Sequence, residues 1–271
     1  MKHPFVPILM ALMSGFPAAG QSPTAGGLPP VRIILIGDST VAPKNGWGPG
    51  FCADVTSEVT CVNLAKNGRS SGSYRAEGSW ATAMDTLKAN HGFSATYVLI
   101  QFGHNDQPGK PGRSTDLKTE FPANLRNYVK EVRAAGGIPI LVTPLTRRMF
   151  TDGTLKNDLV PWAEAAKQVA AEEGIAVLDL NAESSAAVQQ MGPVKANTLA
   201  LAPPPPVVSE GAAHGNSPPA PKPGDKGFEP NGDPSLVFDY THLGATGSAY
   251  FGRMVADELV RAVPGLRGYV K

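Results

Sequence analysis

Ser39, Asp239 and His242 have the residue types that nucleophilic catalysis by serine requires. Ser39 ends a Gly-Asp-Ser sequence directly after an apolar run at 31–36, and Asp239 and His242 lie near the far end of the chain. A serine hydroxyl becomes nucleophilic when a base lies within hydrogen-bond reach and a third group orients that base. His242 is the candidate base for Ser39, and Asp239, three residues earlier, is placed to accept a hydrogen bond from the same imidazole. An Asp-X-X-His pair is common by itself, so the prediction of nucleophilic catalysis depends on Ser39.

Two further polar segments supply hydrogen-bond donors for a negatively charged oxygen. Gly68 lies in the segment 63–70, and Asn105 lies in a Gly-His-Asn-Asp sequence at 103–106. A glycine lets its backbone N–H approach a ligand closely, and an asparagine amide donates without carrying charge. The N–H groups of Ser39 and Gly68 and the side chain of Asn105 would together form a three-donor oxyanion hole. The alternative is that both segments are ordinary turns, since Gly and Asn are turn residues.

Five apolar, β-branched runs predict the strands that position these residues. Near-continuous apolar runs of this length are typical of strands covered on both faces, as in a parallel sheet. Segments with helical periodicity follow at 120–135, 159–173 and 245–263. Such alternation is typical of a doubly wound α/β domain, which carries its ligand site at the carboxyl ends of the strands. The predicted strands are 31–36, 59–64, 96–102, 138–143 and 175–180.

Four elements, in this order along the chain, resemble the signature blocks of the GDSL/SGNH hydrolases. The match covers about residues 31–263, and each block follows the strand after which that family carries it. The resemblance implies a three-layer α/β/α flavodoxin-like fold with a five-stranded parallel sheet. It also implies Ser39, Asp239 and His242 as the catalytic triad, with Gly68 and Asn105 at the oxyanion. The four blocks are Gly37-Asp38-Ser39, Gly68, Gly103-X-Asn105-Asp106 and Asp239-X-X-His242.

Four longer segments are similar to the rhamnogalacturonan acetylesterase branch of this family, whose members remove acetyl groups from pectin. These segments are 67–71, 102–106, 143–148 and 239–243. The resemblance implies an acetylated polysaccharide or oligosaccharide as substrate and a reaction that uses no cofactor and no metal. Other interpretations stay open: an esterase or lipase for small or lipid esters, an acetyl-xylan esterase, and a carbohydrate-binding relative without catalysis.

Three further residues are candidates for substrate contact. Arg147 and Arg148 follow the fourth predicted strand, and the planar fork of a guanidinium suits the carboxylate of galacturonate. His104 lies inside the segment that carries Asn105, so we expect it close to the substrate as well. The alternatives are a solvated arginine pair and a structural hydrogen bond of the histidine.

A second serine competes with Ser39 for the role of nucleophile. Ser70 lies in the sequence Gly-Arg-Ser-Ser-Gly at 68–72, which fits the nucleophile elbow of the α/β-hydrolases. Those enzymes carry several strands before the elbow. The alternative also leaves the Gly-Asp-Ser and Gly-His-Asn-Asp sequences without a role, so Ser39 is the favoured nucleophile.

The first twenty residues predict an exported protein, and the charge balance of the chain limits its partners. A basic start, an apolar core at 5–16 and small residues before a cleavage point after Gly20 are typical of an export signal. That core is too short to span a bilayer. The 24 Lys and Arg nearly balance the 23 Asp and Glu, which argues against nucleic acid or anionic membranes as partners. We expect a signal peptide at 1–20, a linker at 21–30, a hydrolase domain at 31–271, a secreted or periplasmic location and a monomer.

Cys52 and Cys61 are the only cysteines among the 271 residues. An even number of nearby cysteines in an exported protein indicates a disulfide, here between the end of the first helix and the next strand. Two cysteines without companion histidines are too few for a tetrahedral metal site.

One segment interrupts the alternation of strands and helices. Residues 202–235 contain 10 Pro and 5 Gly, a composition typical of irregular or disordered chain. It predicts a long loop inserted before Asp239, more readily an inert linker than a lid over the site.

Overall fold

The computed structural model describes residues 1, 27–89, 91–220 and 237–271. The predicted export signal at 1–20, apart from Met1, the first part of the predicted linker and residues 221–235 of the insertion lie outside the described residues.

Five parallel strands form the central sheet, in the order β2-β1-β3-β4-β7. This is the flavodoxin-like order, and it confirms the predicted fold class. Four predicted strands agree with the structure to within one residue at each end, whereas the fifth is much shorter than predicted. The strands are β1 (Val31–Gly37), β2 (Val59–Asn63), β3 (Ala95–Gln101), β4 (Ile138–Val142) and β7 (Val177–Leu178). A separate hairpin is formed by β5 (Phe150–Thr151) and β6 (Thr154–Leu155).

Helices cover both faces of the sheet. The three predicted helices correspond to α4, α5 and α8, each within one residue at either end. Within the part of the chain that the structure describes, none of the helices is long and apolar enough to cross a membrane. The helices are α1 (Gly48–Asp54), α2 (Ser73–Ala76), α3 (Ser79–Lys88), α4 (Glu120–Ala134), α5 (Val160–Glu173), α6 (Leu180–Asn197), α7 (Pro206–Ala213) and α8 (Ala245–Ala262), and a 3₁₀-helix covers Pro264–Tyr269.

Alternate side chains of β1 enter two different cores, which explains its unbroken apolar sequence. Ile33 and Leu35 belong to the core that α1, α6 and α8 cover, whereas Ile34 and Ile36 belong to the core under α3, α4 and α5. All four side chains are at most 1% exposed. The sheet is therefore the middle of three layers, as the continuous runs predicted.

The insertion before Asp239 is partly folded, so the prediction of an irregular loop is wrong for 206–213. Helix α7 begins there because proline fits the first helical position, where its missing N–H costs nothing. Its Val208 is fully buried and packs in a small core with Phe238 and Tyr240. The phenol of Tyr240 donates a 2.6 Å hydrogen bond to the carbonyl of Pro218. The described part of the insertion thus supports the segment that carries Asp239 and His242.

The predicted disulfide between Cys52 and Cys61 is present. It joins α1 to β2 across a Cα–Cα distance of 5.6 Å. Because α1 follows the Ser39 segment, the bridge ties that segment to the neighbouring strand.

Helices α1 and α8 approach each other through their backbones. A Cβ on Gly50 would overlap the carbonyl oxygen of Ser248, and a Cβ on Gly252 would overlap the backbone nitrogen of Phe51. The N–H of Gly50 also donates to the Ser248 hydroxyl at 3.1 Å. Glycine at both positions is therefore a packing requirement.

We predict that Gly252→Ala lowers the free energy of unfolding by about 1–3 kcal/mol, because the added methyl group forces the two helices apart. Urea denaturation measures this change. Gly265→Ala is the control, since no described atom beyond its chain neighbours lies within 4 Å of a Cβ placed there. Equal stability of the two variants would contradict this prediction, because it would show that the α1–α8 contact accommodates a methyl group at Gly252.

Candidate active site

The candidate site lies at the carboxyl edge of the sheet, between β1 and β3. The strand order reverses at this point, which is where open α/β sheets bind ligands. Ser39 follows β1, Asn105 follows β3, and Gly68 follows β2 on the other side of β1.

Ser39, His242 and Asp239 form one hydrogen-bonded chain. His242 Nε2 lies 2.8 Å from the Ser39 hydroxyl, and His242 Nδ1 lies 2.6 Å from Asp239 Oδ2. The structure therefore brings together residues that are 203 positions apart in the sequence. In this arrangement the imidazole is placed to accept the serine proton while the carboxylate orients the ring.

A tight turn over residues 239–242 holds the acid against the imidazole. The other carboxylate oxygen of Asp239, Oδ1, accepts the backbone N–H groups of Thr241 and His242, each at 2.6 Å. Burial opposes ionisation of Asp239, but the hydrogen bonds and the charge of His242 outweigh it and lower the pKa of Asp239 to about 2. Asp239 is thus ionised at neutral pH.

Asp38 shapes the turn that presents Ser39. Its Oδ1 accepts the N–H and the hydroxyl of Thr40 at 2.8 Å and 2.7 Å. The same hydroxyl accepts a 2.6 Å bond from Gln101, whose side-chain oxygen accepts the indole N–H of Trp47. This buried network joins the turn to β3 and α1, so the Ser39 backbone has fixed supports on two sides.

Gly68 and Asn105 line the same cavity as Ser39, which has a volume of about 720 Å³. Gly68 has φ = +76°, a conformation that favours glycine. The Asn105 amide nitrogen donates to the carbonyl of Arg69 at 3.0 Å, and no acceptor for its second N–H is found among the described residues. The three predicted oxyanion donors are therefore placed around one cavity.

Asp106 joins the two segments that carry Gly68 and Asn105. Its carboxylate is fully buried and accepts hydrogen bonds from the N–H and hydroxyl of Ser71, from the Gly103 N–H and from the Thr115 hydroxyl, at 2.6–3.0 Å. Burial raises the pKa of Asp106 to about 6, and the bonds from Ser71 and Thr115 limit that rise. The sequence motif contained Asp106, but only the structure reveals this bridging role.

Two residues predicted to contact substrate lie beneath the site instead. Arg148 is fully buried, and its guanidinium bonds to backbone carbonyls of the 239–242 turn. His104 is 3% exposed, and its Nδ1 lies 3.5 Å from Asp38 Oδ2. Burial lowers the pKa of His104, an effect that Asp38 only partly offsets. The sequence placed both residues at the correct edge but did not reveal that their side chains turn inward.

Arg147, the third predicted contact, is held away from the cavity lining. Its guanidinium forms two hydrogen bonds with the Asp158 carboxylate, at 2.7 Å and 2.8 Å, and one with Gln107 at 2.9 Å. Asp158 and Gln107 of the protein therefore engage the guanidinium that was expected to meet a galacturonate, Asp158 at Nη1 and Gln107 at Nη2.

Two cationic residues that the sequence analysis missed line the cavity in its place. They are Lys44, which is exposed, and Arg113, which is half-buried. Arg113 Nη1 lies 3.4 Å from Asn105 Oδ1 and 3.5 Å from the Gly68 carbonyl, so it contacts both residues that were predicted to bind the oxyanion. Both follow turn-rich segments without a distinctive motif, and nothing in their sequence neighbourhood identified them.

Ser70, the competing nucleophile, is fully buried and lies outside the cavity lining. Its hydroxyl accepts a hydrogen bond from the N–H of Ser73, at the start of α2, and donates one to the Ser73 hydroxyl. These contacts give Ser70 a structural role as a helix-start residue.

Comparison with known proteins places the chain in a family of ester hydrolases. Residues 23–201 match the model of the GDSL-like lipase/acylhydrolase family. Two curated relatives come from Bacillus subtilis (strain 168). The rhamnogalacturonan acetylesterase RhgT is 30% identical over 84% of this chain and 89% of its own length. The probable rhamnogalacturonan acetylesterase YesY is 28% identical over 83% of this chain and 90% of its own length.

A solved structure with the same fold is that of protein YxiM from Bacillus subtilis. It superposes with a TM-score of 0.64 at 23% identity and covers 89% of this chain. The present chain spans 58% of that longer protein. Together with the geometry around Ser39, the family match establishes that the chain belongs to the GDSL-like lipase/acylhydrolase family and is an ester hydrolase of that family.

Proposed function

We propose that the protein is an acetylesterase that removes acetyl groups from rhamnogalacturonan, with Ser39 as the nucleophile. The observation that carries the proposal is the hydrogen-bonded chain from Ser39 through His242 to Asp239 at the wall of an open cavity. The two Bacillus relatives, which share about 30% of their residues with most of this chain, support the choice of acetyl ester and polymer.

The first half of the reaction forms an acetyl-enzyme. His242 Nε2 takes the Ser39 proton as the serine oxygen attacks the acetyl carbonyl carbon. Asp239 stabilises the imidazolium that results. The tetrahedral intermediate then collapses, the carbon–oxygen bond to the sugar breaks, and His242 returns its proton to the departing sugar hydroxyl.

The second half releases acetate. His242 takes a proton from water, and the hydroxide attacks the acetyl carbonyl carbon on Ser39. Collapse of this intermediate breaks the bond to Ser39, whose oxygen regains the proton from His242. In both halves the N–H groups of Ser39 and Gly68 and the Asn105 amide would hold the oxyanion. No cofactor takes part in these steps.

The charge of the cavity favours an anionic polymer over a neutral one. Lys44 and Arg113 line it, and among the described lining residues the only acid is Asp239, which is paired with His242. Lys44 and Lys66 also line a neighbouring cavity of about 600 Å³, whose one acidic lining residue, Glu77, is paired with Arg69 at 2.6 Å. A chain that carries galacturonate would place its carboxylates against these cations, whereas acetyl-xylan has no such charge to offer.

The remaining proposals concern the setting of the enzyme. The disulfide between Cys52 and Cys61 supports an oxidising compartment, consistent with secretion or export to the periplasm. A monomer with a polysaccharide as its only partner stays a prediction.

Ser39→Ala should lower kcat for p-nitrophenyl acetate by roughly 10,000-fold or more without unfolding the protein, because the attacking oxygen is removed. Acetate release from acetylated rhamnogalacturonan and from acetyl-xylan, measured side by side, then identifies the polymer. Ser70→Ala serves as the comparison and should stay active. Full activity of folded Ser39→Ala would refute the proposed nucleophile, and preference for acetyl-xylan would refute the proposed polymer.

Lys44→Gln should lower kcat/KM for acetylated rhamnogalacturonan by about threefold, as expected for one solvent-exposed ion pair. The loss should fade at high salt, because screening weakens the same pair in the wild type. kcat/KM for acetyl-xylan should not change. An equal loss on both polymers would mean that Lys44 acts through shape or packing instead of charge.

Asp239→Asn should destabilise the protein in a pH-dependent way. The pKa of Asp239 is about 2 in the folded protein, below the ordinary value of 3.8 for an aspartate. Ionised Asp239 therefore contributes stability that is present above pH 3.8 and is lost as the pH falls towards 2. The gap in Tm between wild type and Asp239→Asn should thus narrow from about pH 5 to pH 3. A gap that stays constant over that range would contradict the assigned ion pair.

A further inference from the structure

Arg148 presents its guanidinium to the underside of the turn that carries Asp239 and His242. The side chain is fully buried. Its Nη2 donates to the carbonyls of Asp239 and His242 at 3.0 Å and 2.9 Å, and its Nη1 donates to the carbonyl of Thr241 at 3.2 Å.

The backbone of Arg148 completes this set of contacts. Its N–H donates to the carbonyl of Tyr240 at 2.9 Å. One residue therefore satisfies all four consecutive carbonyls of the 239–242 turn. Backbone carbonyls need partners when they are buried, so these donors stabilise the turn in this conformation. The His242 carbonyl has one further donor, the N–H of Leu201 at 3.3 Å.

In a trans peptide group the C=O and the N–H point in opposite directions. The direction of these carbonyls therefore determines where the N–H groups point. With the carbonyls turned towards Arg148, the N–H groups of Thr241 and His242 point to the Asp239 carboxylate, which they reach at 2.6 Å. The carboxylate is thereby held with its other oxygen 2.6 Å from His242 Nδ1. The contacts of Arg148 thus extend, through the backbone, to the acid and base of the triad.

The positive charge of Arg148 also favours the ionised form of Asp239. Within residues 27–89, 91–220 and 237–271, no carboxylate lies within ion-pair distance of its guanidinium. Asp239 is the acid that interacts with it electrostatically. Burial lowers the pKa of Arg148 to about 10, which leaves the guanidinium charged at neutral pH. A buried positive charge beneath the turn favours the ionised carboxylate above it.

We propose that Arg148 is a positioning residue for catalysis, which holds the Asp239–His242 turn in its productive conformation through its four carbonyl contacts. This inference rests on the triad of the proposed function but not on the identity of the polymer. The residue does not touch substrate, so it should change the chemical step and leave substrate binding unaltered.

The test compares Arg148→Lys and Arg148→Met with the wild type on p-nitrophenyl acetate. Arg148→Met removes the charge and all three side-chain donors, and we expect kcat to fall by about 100-fold with little change in KM. Arg148→Lys keeps the charge but lacks the planar fork, so it should recover part of that loss. Arg126→Lys is the matched control, because Arg126 pairs with Glu172 on the exposed outer side of α4 and α5.

A spectroscopic signature separates positioning from general stabilisation. The proton on His242 Nδ1 that bonds to Asp239 should give a far-downfield NMR resonance in the wild type and in Arg126→Lys. We expect it to weaken or shift in Arg148→Lys under conditions where that variant is fully folded by circular dichroism. A variant that is less stable but has unchanged kcat and an unchanged resonance would overturn the proposal.

If neither variant folds, the wild type itself decides the matter. The Arg148 guanidinium protons should exchange slowly with solvent, and their resonances should shift when Ser39 is covalently blocked by a phosphonate. Rapid exchange, or no shift, would overturn the proposal. Failure of the proposed function gives a different result from failure of the Arg148 proposal. If the wild-type protein does not hydrolyse the aryl ester, the proposed function is refuted before Arg148 is tested.

Discussion

The contact between α1 and α8 is the constraint on which the site depends. Helix α1 follows the turn that carries Ser39, and α8 follows the turn that carries His242. Because Gly50 and Gly252 let the two helix backbones approach closely, two distant parts of the chain arrive at one edge of the sheet. A hydrogen bond of 2.8 Å between Ser39 and His242 allows little tolerance, and backbone contact is the most rigid way to meet it.

Buried charged residues support each of the loops at this edge. Asp38 holds the nucleophile turn, Asp106 joins the two oxyanion segments, and Arg148 holds the turn of the acid and base. A buried charge is costly unless hydrogen bonds compensate it. Asp106 and Arg148 each form several bonds to the loops that they support, whereas Asp38 relies on the N–H and hydroxyl of Thr40 and on the nearby His104. The reactive groups are thus partly open to the cavity, while the groups that orient them are protected from water.

Much of the fold, and the set of residues that meets as the candidate triad, could be predicted because both rest on local signals. Continuous apolar runs mark buried strands. Ser39, Gly68 and Asn105 each follow a strand, and the Asp-X-X-His pair lies just before α8. What the sequence could not tell is the direction of a long side chain. Arg148 follows a strand at the correct edge, yet it turns into the protein because the carbonyls of a distant turn need donors. Composition was misleading at 206–213, where prolines start a helix instead of preventing one.

Covalent capture of the nucleophile tests the central claim most directly. The wild-type protein is treated with a fluorophosphonate that carries an acetyl-sized substituent, and the modified peptide is identified by mass spectrometry. The account predicts one adduct, on Ser39, whose formation slows sharply when His242 is replaced by alanine. An adduct on Ser70, or modification of Ser39 at an unchanged rate without His242, would contradict it.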